Sequence, residues 1–174
     1  MMHTVSSRGS KVILLGVAVA LAAGLPLLAQ TIPPTAGETL SGKPIVLADA
    51  VRGHTAVLIA GFSREGGNGV GEWVKALRPD AAFAQVAVYS IAELAAAPAF
   101  IRGMIRSGMK KGLSASDQDR FVVFTSDEQA WRSFFGVSAD KDPYALLIDA
   151  RGKVLWRGHG PVAQLEAQLK TALP

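Results

Sequence analysis

The stretch that decides the fold is PYALLIDARGKV, which runs from Pro143 to Val154. Its first half is an apolar run that ends at Asp149, and the short link after it contains Gly152. An apolar run of this kind predicts a strand that is buried on both faces. Because a second strand-like run follows at residues 153–157, the link predicts a tight hairpin. We therefore expect two antiparallel neighbouring strands near the C-terminus.

Upstream of this hairpin, strand-like and helix-like patterns alternate along the chain. Continuous apolar runs predict strands at residues 56–62, 85–91 and 120–125, with a short edge strand at 43–47. Apolar residues at intervals of three and four predict helices at residues 70–77, 98–112, 126–136 and 161–173. Ser126 and Gln129 have the spacing of a capping box. The alternation predicts an α/β fold, with helices flanking a central mixed β-sheet.

Three signatures in this order resemble the thioredoxin-like fold over about residues 39–172. They are the segment 39–63, the run Phe134–Val137 and the stretch Pro143–Val154. The resemblance implies a thioredoxin-like domain with an inserted helix. It also implies that a cis peptide bond precedes Pro143 and that this proline faces the active site. A cis bond before proline costs only about 0.5–1 kcal/mol.

The chain departs from that family at its reactive site. Where the family carries a Cys-x-x-Cys pair, this chain reads Ser63-Arg64-Glu65-Gly66, and it contains no cysteine at any position. Thiol exchange requires a thiolate as the attacking group. A serine hydroxyl is no substitute unless a base activates it. We therefore predict that the chain is not an enzyme of the thioredoxin, glutaredoxin or peroxiredoxin type.

The C-terminal part also resembles the mitochondrial ATP synthase assembly factors and their bacterial relatives. The shared features are the run Leu147–Asp149, the segment Gly152–Trp156, the motif Gly158–Gly160 and a closing helix with Glu166. This second resemblance implies an assembly or chaperone-like role.

Neither a cofactor site nor a metal site is predicted. The glycines between residues 66 and 71 lack both the dinucleotide-binding spacing and a following Lys-Ser/Thr pair, so we interpret them as a flexible loop. His54 and His159 have no second ligand at metal-binding spacing, and we interpret both as surface residues. Asp140 and Asp142 lack the later ligands of a calcium loop, which predicts a solvated loop.

The N-terminal residues have the pattern of a targeting segment. A basic start, an apolar run and small residues near Ala29 predict a signal peptide over residues 1–29, and an uncleaved membrane anchor is the alternative. Residues 30–38 are then a flexible lead-in and residues 39–174 the domain. We expect an exported, periplasmic or envelope-associated protein that contacts a membrane only if the signal segment is retained. Removing residues 1–29 lowers the formal net charge from +4 to +2, so no nucleic-acid partner is predicted.

The predicted helix at residues 98–112 has a basic stripe and an apolar stripe. Arg102, Arg106 and Lys110 recur every four residues, which predicts a solvated face, although such a face could also meet an acidic partner or lipid headgroups. The opposite face carries Phe100, Ile101, Met104, Ile105 and Met109, which are predicted to pack in the core.

These observations favour a non-catalytic module that binds another polypeptide or assists assembly. The predicted partner cleft consists of Ser63, Arg64, Gly67, Gly69, Asp142, Pro143 and Tyr144, in which the backbone of Asp142 pairs with an extended peptide. The alternatives are an accessory protein of an oxidoreductase or cytochrome-maturation system, and a carrier of a small ligand.

Overall fold

A computed structural model describes residues 31–174, so the predicted signal peptide lies outside the described residues. One sheet contains seven strands: β1 (Ala36–Thr39), β2 (Pro44–Val46), β3 (Ala56–Gly61), β4 (Ala87–Glu93), β5 (Phe121–Phe124), β6 (Pro143–Ile148) and β7 (Val154–His159). Their order across the sheet is β2-β1-β5-β4-β3-β6-β7. The pairs β3–β4 and β4–β5 are parallel and the other four neighbouring pairs are antiparallel. The predicted mixed sheet is therefore confirmed.

Helices cover both faces of this sheet. They are α1 (Leu47–Ala50), α2 (Arg64–Leu77), α3 (Ala99–Lys110), α4 (Ala115–Asp119), α5 (Glu128–Phe135) and α6 (Val162–Thr171), together with a 3-10 turn at Ala81–Phe83. Among residues 31–174, no helix combines the length and the apolar character needed to cross a membrane.

Two layers of core residues lie on opposite faces of the central strands. On one face, the aromatic residues of α5 pack against β5 and β6, and the indole of Trp131 stacks on Phe124 at 4.2 Å. On the other face, α2 and α6 pack against β3 and β6. There Trp73 is fully buried, and its indole N–H donates to the carbonyl of Gly160 at 3.0 Å. Burial on both faces explains why β3 and β6 read as continuous apolar runs.

The hairpin that the stretch 143–154 predicts is confirmed. Strands β6 and β7 pair antiparallel, with Tyr144 opposite His159 and a register irregularity at Leu147/Ile148. The link closes through Asp149, whose backbone N–H donates to the carbonyl of Lys153 and whose side-chain Oδ1 accepts the N–H of Lys153.

Residues 36–38 lie in the sheet, so the domain starts before residue 39 and the predicted lead-in at residues 30–38 is wrong for these three. Strand β1 occupies Ala36–Thr39 and pairs with both β2 and β5. Ile32 and Thr35 are buried, and the hydroxyl of Thr35 donates to the carboxylate of Asp127 at 2.9 Å. Four residues with one glycine give too short a pattern for a strand to be recognised, and distant strand pairing stabilises it instead.

The start of α5 also differs from the prediction. Asp127, in the left-handed conformation with φ 61°, is the N-cap, and no side chain caps the helix. The predicted capping box of Ser126 and Gln129 is therefore wrong. The hydrogen bond that Asp127 accepts from Thr35 fixes the N-cap one residue later than predicted. The predicted end at Gly136 is confirmed, since this glycine has φ 68° and terminates the helix.

Helix α3 lies where it was predicted, but only part of its predicted apolar face is buried. Arg102 and Arg106 are half-buried and donate hydrogen bonds to the carbonyl of Ala95 and the carboxylate of Glu38. Phe100 and Met104, in contrast, are exposed. The prediction is confirmed for Ile105 and Met109, which pack against a cluster formed by Leu40, Leu94 and Val123.

Candidate functional site

The end of β3 passes directly into α2, and Ser63 marks the junction. Ser63 has extended backbone angles and caps the helix, because its Oγ accepts the N–H of Gly66 at 3.1 Å. Residues 66–71 are therefore the first turns of α2, and the predicted flexible loop is wrong. Glycine disfavours a helix by about 1 kcal/mol per residue relative to alanine. The N-cap and the buried residues Val70 and Trp73 on the same helix outweigh this cost.

The glycines of this segment allow unusually close packing. A Cβ at Gly61 would lie 2.4 Å from the backbone nitrogen of Gly67, so β3 and α2 meet without side chains between them. A Cβ at Gly69 would lie 2.7 Å from Cγ of Pro143. Helix α2 therefore rests directly on the start of β6. The two segments of the predicted cleft, residues 63–69 and 142–144, are in contact.

A histidine–carboxylate pair lies beside this contact. His159 Nδ1 and Asp142 Oδ2 are 2.7 Å apart, and the imidazole ring stacks on the ring of Tyr144 with centroids 5.2 Å apart. The Tyr144 hydroxyl accepts the N–H groups of Ser138 and Ala139 at 2.8 and 2.7 Å. Sequence reasoning placed His159 at the surface, where it is, but missed its pairing with Asp142. The pairing of His159 with Asp142 could have been found from the cross-strand register, which places Tyr144 opposite His159.

A group of charged side chains lies at the same edge, where β3 and β4 end. The guanidinium of Arg132 lies 5.5 Å from the centre of the Phe62 ring and forms ion pairs with Glu128 and Asp140. Burial raises the pKa of Glu93, the last residue of β4, against the opposing effect of a hydrogen bond from the N–H of Ala95.

Comparison with known proteins identifies the fold of the chain. No protein-family model and no curated protein matches the chain. Among solved structures, it is similar to the Chlorobium tepidum protein assigned as thiol:disulfide interchange protein DsbE, at 19% identity and a TM-score of 0.57, over 83% of this chain and 96% of that one. BsSco, a member of the Sco family of cytochrome c oxidase assembly proteins, matches at 15% identity and a TM-score of 0.56 over 83% and 94% of the two chains. The Streptococcus pneumoniae exposed lipoprotein thioredoxin Etrx1 matches at 16% identity and a TM-score of 0.53 over 80% and 98%. The fold is thioredoxin-like.

One feature expected from the thioredoxin-like resemblance is absent. No peptide bond within residues 31–174 is cis, so the expected cis bond before Pro143 is wrong. A trans bond continues the extended chain into β6, where Pro143 lies opposite Gly61 and its carbonyl accepts the N–H of Gly160. The backbone N–H of Asp142 donates to the carbonyl of Ala139 and is not available to a peptide, contrary to the prediction.

The residues of the predicted cleft differ in accessibility. Arg64 and Gly67 are exposed, Ser63, Gly69 and Asp142 are half-buried, and Pro143 and Tyr144 are buried. Two shallow depressions lie elsewhere on the thioredoxin-like domain. One, of about 250 Å³, is lined by Thr31, Pro33, Pro34, Ala130, Ser133 and Phe134. The other, of about 170 Å³, is lined by Thr31, Ile32, Ala48, Val51, Arg52, Arg151 and Gly152.

The chemistry that this edge of a thioredoxin-like fold can support follows from its groups. The Ser63 hydroxyl accepts a hydrogen bond from the helix backbone, and no hydrogen bond within residues 31–174 joins it to the imidazole of His159. A serine becomes a nucleophile only when a base is within hydrogen-bond reach. The exposed groups are a cation at Arg64, a helix N-terminus and a histidine–carboxylate pair, which are suited to non-covalent contacts with a polar partner.

Proposed function

We propose that this chain is a redox-inactive thioredoxin-like domain that binds another polypeptide at the edge formed by the start of α2 and the turn before β6. The observation that carries the proposal is the N-cap of α2, where Ser63 stands in a cysteine-free chain and bonds to Gly66. The fold has the position of the Cys-x-x-Cys pair, but no thiol is present there. We therefore infer that this position binds a partner and does not exchange thiols with it.

The exposed part of this edge supports a protein partner. Arg64 is the kind of side chain that contributes strongly to protein interfaces, and Gly67 leaves the surface beside it open, since nothing lies within 4 Å of a Cβ placed there. Asp142 and His159 extend the surface across the turn before β6. The partner contacts side chains and the bare helix surface, because the backbone N–H of Asp142 is already bonded.

An assembly role is the more specific form of this proposal. The resemblance of residues 147–166 to ATP synthase assembly factors motivates it. An accessory role beside an oxidoreductase or in cytochrome maturation is the second candidate. It is favoured by the names of two similar structures, a thiol:disulfide interchange protein and a cytochrome c oxidase assembly protein.

We further propose that the protein is exported and that residues 1–29 are its signal peptide. The basic start at Arg8 and Lys11, followed by a short apolar run, supports export. Mass spectrometry of the protein from its native envelope tests this proposal, and a new N-terminus near Ala29 is the expected result. An intact Met1 in the membrane fraction contradicts cleavage.

A photocrosslinking experiment tests the binding edge. A photoreactive phenylalanine analogue at position 67 of the full chain is expected to crosslink a polypeptide in the native envelope, and the same analogue at the exposed Gln164 of α6 is the matched control. Adding Arg64→Glu to the position-67 chain should reduce the product by about tenfold or more, as for an interface arginine. An identical product from position 164, or one that persists in the Arg64→Glu chain, contradicts this site.

An activity measurement tests the redox part separately. The protein is expected to reduce neither insulin nor peroxide above the rate of a heat-denatured sample, because the chain has no thiol to supply the electrons. Turnover clearly above that of the denatured sample contradicts redox inactivity, whatever the crosslinking experiment gives.

A further inference from the structure

Helix α3 carries the most exposed large apolar side chains of residues 31–174. Phe100 is 86% exposed and Met104 is 71% exposed, and only Leu155, at 39%, joins them among the large exposed hydrophobic residues of this region. Phe100 and Met104 are one helical turn apart and share one face. At Gly103, between them, nothing lies within 4 Å of a Cβ, so this face is uncovered.

Hydrogen bonds on the opposite side of the helix hold this apolar face outward. The guanidinium of Arg102 donates to the carbonyls of Ala95 and Ala97 at 2.9 and 2.8 Å. The guanidinium of Arg106 donates twice to the carboxylate of Glu38, at 3.2 and 2.6 Å. Turning the helix to bury its apolar stripe would break all four bonds, two of which are charge-assisted on both sides. The outward orientation is therefore a property of the fold.

The charged residues of this segment of the chain are all positive. No acidic residue occurs between Glu93 and Asp117, whereas the same segment contains Arg102, Arg106, Lys110 and Lys111. Lys110 and Lys111 are exposed, and neither forms an ion pair with the described residues. The apolar pair at the start of the helix is thus followed by two unpaired cations at its end.

We propose that the outer face of α3 together with its C-cap, which carry Phe100, Met104, Lys110 and Lys111, binds the surface of an anionic lipid membrane. The helix would lie along the headgroup region, with the two apolar side chains inserted and the two lysines facing lipid phosphates. Two exposed apolar side chains offer far less than the roughly 800 Å² per partner of a stable protein interface. A bilayer requires no matching shape, and negative charge complements this face. This face shares no residue with the proposed binding edge at α2.

The absence of cysteine allows a direct test, because one introduced cysteine can be labelled selectively. The full chain carries Ser107→Cys on the exposed side of α3, labelled with an environment-sensitive fluorophore, and Gln164→Cys on α6 is the matched control. Vesicles of phosphatidylcholine and phosphatidylglycerol are expected to shift the emission of the label at position 107 to shorter wavelengths and to leave position 164 unchanged. The label reports on α3 itself, so retention of residues 1–29 at the membrane cannot produce this result.

Substitutions in the labelled chain separate the apolar and the electrostatic contributions. Phe100→Ser with Met104→Ser should weaken the vesicle response by about tenfold or more, since burial of apolar area is lost. Lys110→Gln and Lys111→Gln should each weaken it by about fivefold. Raising NaCl to about 1 M should weaken it similarly, because the Debye length falls to about 3 Å.

The proposal fails if the label at position 107 does not respond to anionic vesicles, or if pure phosphatidylcholine gives the same response. It also fails if only a protein fraction of the native envelope changes the emission, since that result identifies a protein partner on this face. Circular dichroism and the unfolding midpoint of each variant establish that the fold is intact.

Discussion

Gly66 lies directly on the backbone of Asp142. A Cβ at residue 66 would stand 2.8 Å from the carbonyl oxygen of Asp142 and 3.1 Å from that of Asp140. Both neighbours are backbone atoms, which cannot move aside as a flexible side chain can. Gly67, the next residue along α2, faces outward, and nothing lies within 4 Å of a Cβ placed there. Adjacent glycines in one helix therefore have opposite roles.

Gly66→Ala and Gly67→Ala should change stability in opposite directions. We expect Gly66→Ala to lower the free energy of unfolding by about 1–3 kcal/mol, because the added methyl group forces α2 away from the turn before β6. Gly67→Ala should raise it by about 0.5–1 kcal/mol, since alanine favours the helix and meets no neighbour. Urea unfolding of both variants measures the two changes. Equal effects at both positions would show that this close contact does not exist.

The Tyr144 hydroxyl should stabilise the turn that leads into β6. It accepts the N–H groups of Ser138 and Ala139, so Tyr144→Phe leaves two donors without their partner. We expect the free energy of unfolding to fall by about 1–3 kcal/mol. Tyr89→Phe is the matched control, because no hydrogen bond joins the Tyr89 hydroxyl to the described residues. The control should change stability by less than about 0.5 kcal/mol. A loss as large in Tyr89→Phe would contradict this role.

The carboxyl group of Glu93 should make stability depend on pH. Burial raises its pKa above the ordinary value of 4.5, so the folded state holds the proton more tightly than the unfolded state. Stability therefore falls as the pH rises from about 4.5 through the higher folded pKa. Glu93→Gln removes this dependence, and we expect the variant to gain stability over the wild type as the pH rises through that window. Urea unfolding at a series of pH values measures the difference.

The carboxyl group of Asp119 should make stability depend on pH in the opposite direction. The hydrogen bond from Lys43, followed by that from Ser41, lowers the pKa of the Asp119 carboxyl below 3.8. Its contribution to stability is therefore present above pH 3.8 and lost as the pH falls through the lower folded pKa. Asp119→Asn should be less stable than the wild type at neutral pH, and the difference should shrink in acid. If Glu93→Gln and Asp119→Asn respond to pH with the same sign, the assignment of Glu93 is wrong.

A cysteine placed at Ser63 should be unusually reactive. A thiolate there would accept the N–H of Gly66, as the Ser63 hydroxyl does, and the helix N-terminus stabilises negative charge. We expect the thiol of Ser63→Cys to have a pKa below the ordinary value of about 8.5. Alkylation rates measured against pH determine this value, and Ser107→Cys, within α3, is the comparison. The same titration curve at both positions would show that the N-cap does not activate a thiol.

Local sequence pattern was sufficient to predict most of the elements of the fold. Continuous apolar runs predicted the buried strands β3, β5 and β6 to within one residue of their observed ends, because a strand covered on both faces has no exposed side. Strand β4 begins two residues later than predicted. Strand β1 was missed, since its short polar sequence gains stability by pairing with β2 and with residues more than eighty positions away in β5.

The candidate site was less accessible to sequence reasoning. The adjacency of residues 63–69 and 142–144 was expected from the resemblance, but the conformations were not. Glycines at 66–71 indicate a loop by their own propensity. They are helical because Ser63 caps the helix and because Val70 and Trp73 of the same helix are buried. The pairing of His159 with Asp142 depends on cross-strand register, which local pattern does not contain.

The sequence by itself determined that this chain has no thiol chemistry and that its apolar runs form a sheet covered by helices, since residue identity and short-range periodicity decide both. Only the tertiary structure decided which way α3 faces. Its two stripes were both recognisable, yet Phe100 and Met104 of the apolar one are exposed, because Arg106 bonds to Glu38, which is 68 residues away. Periodicity reports that a helix has two faces, whereas partners distant in sequence determine which of them is buried.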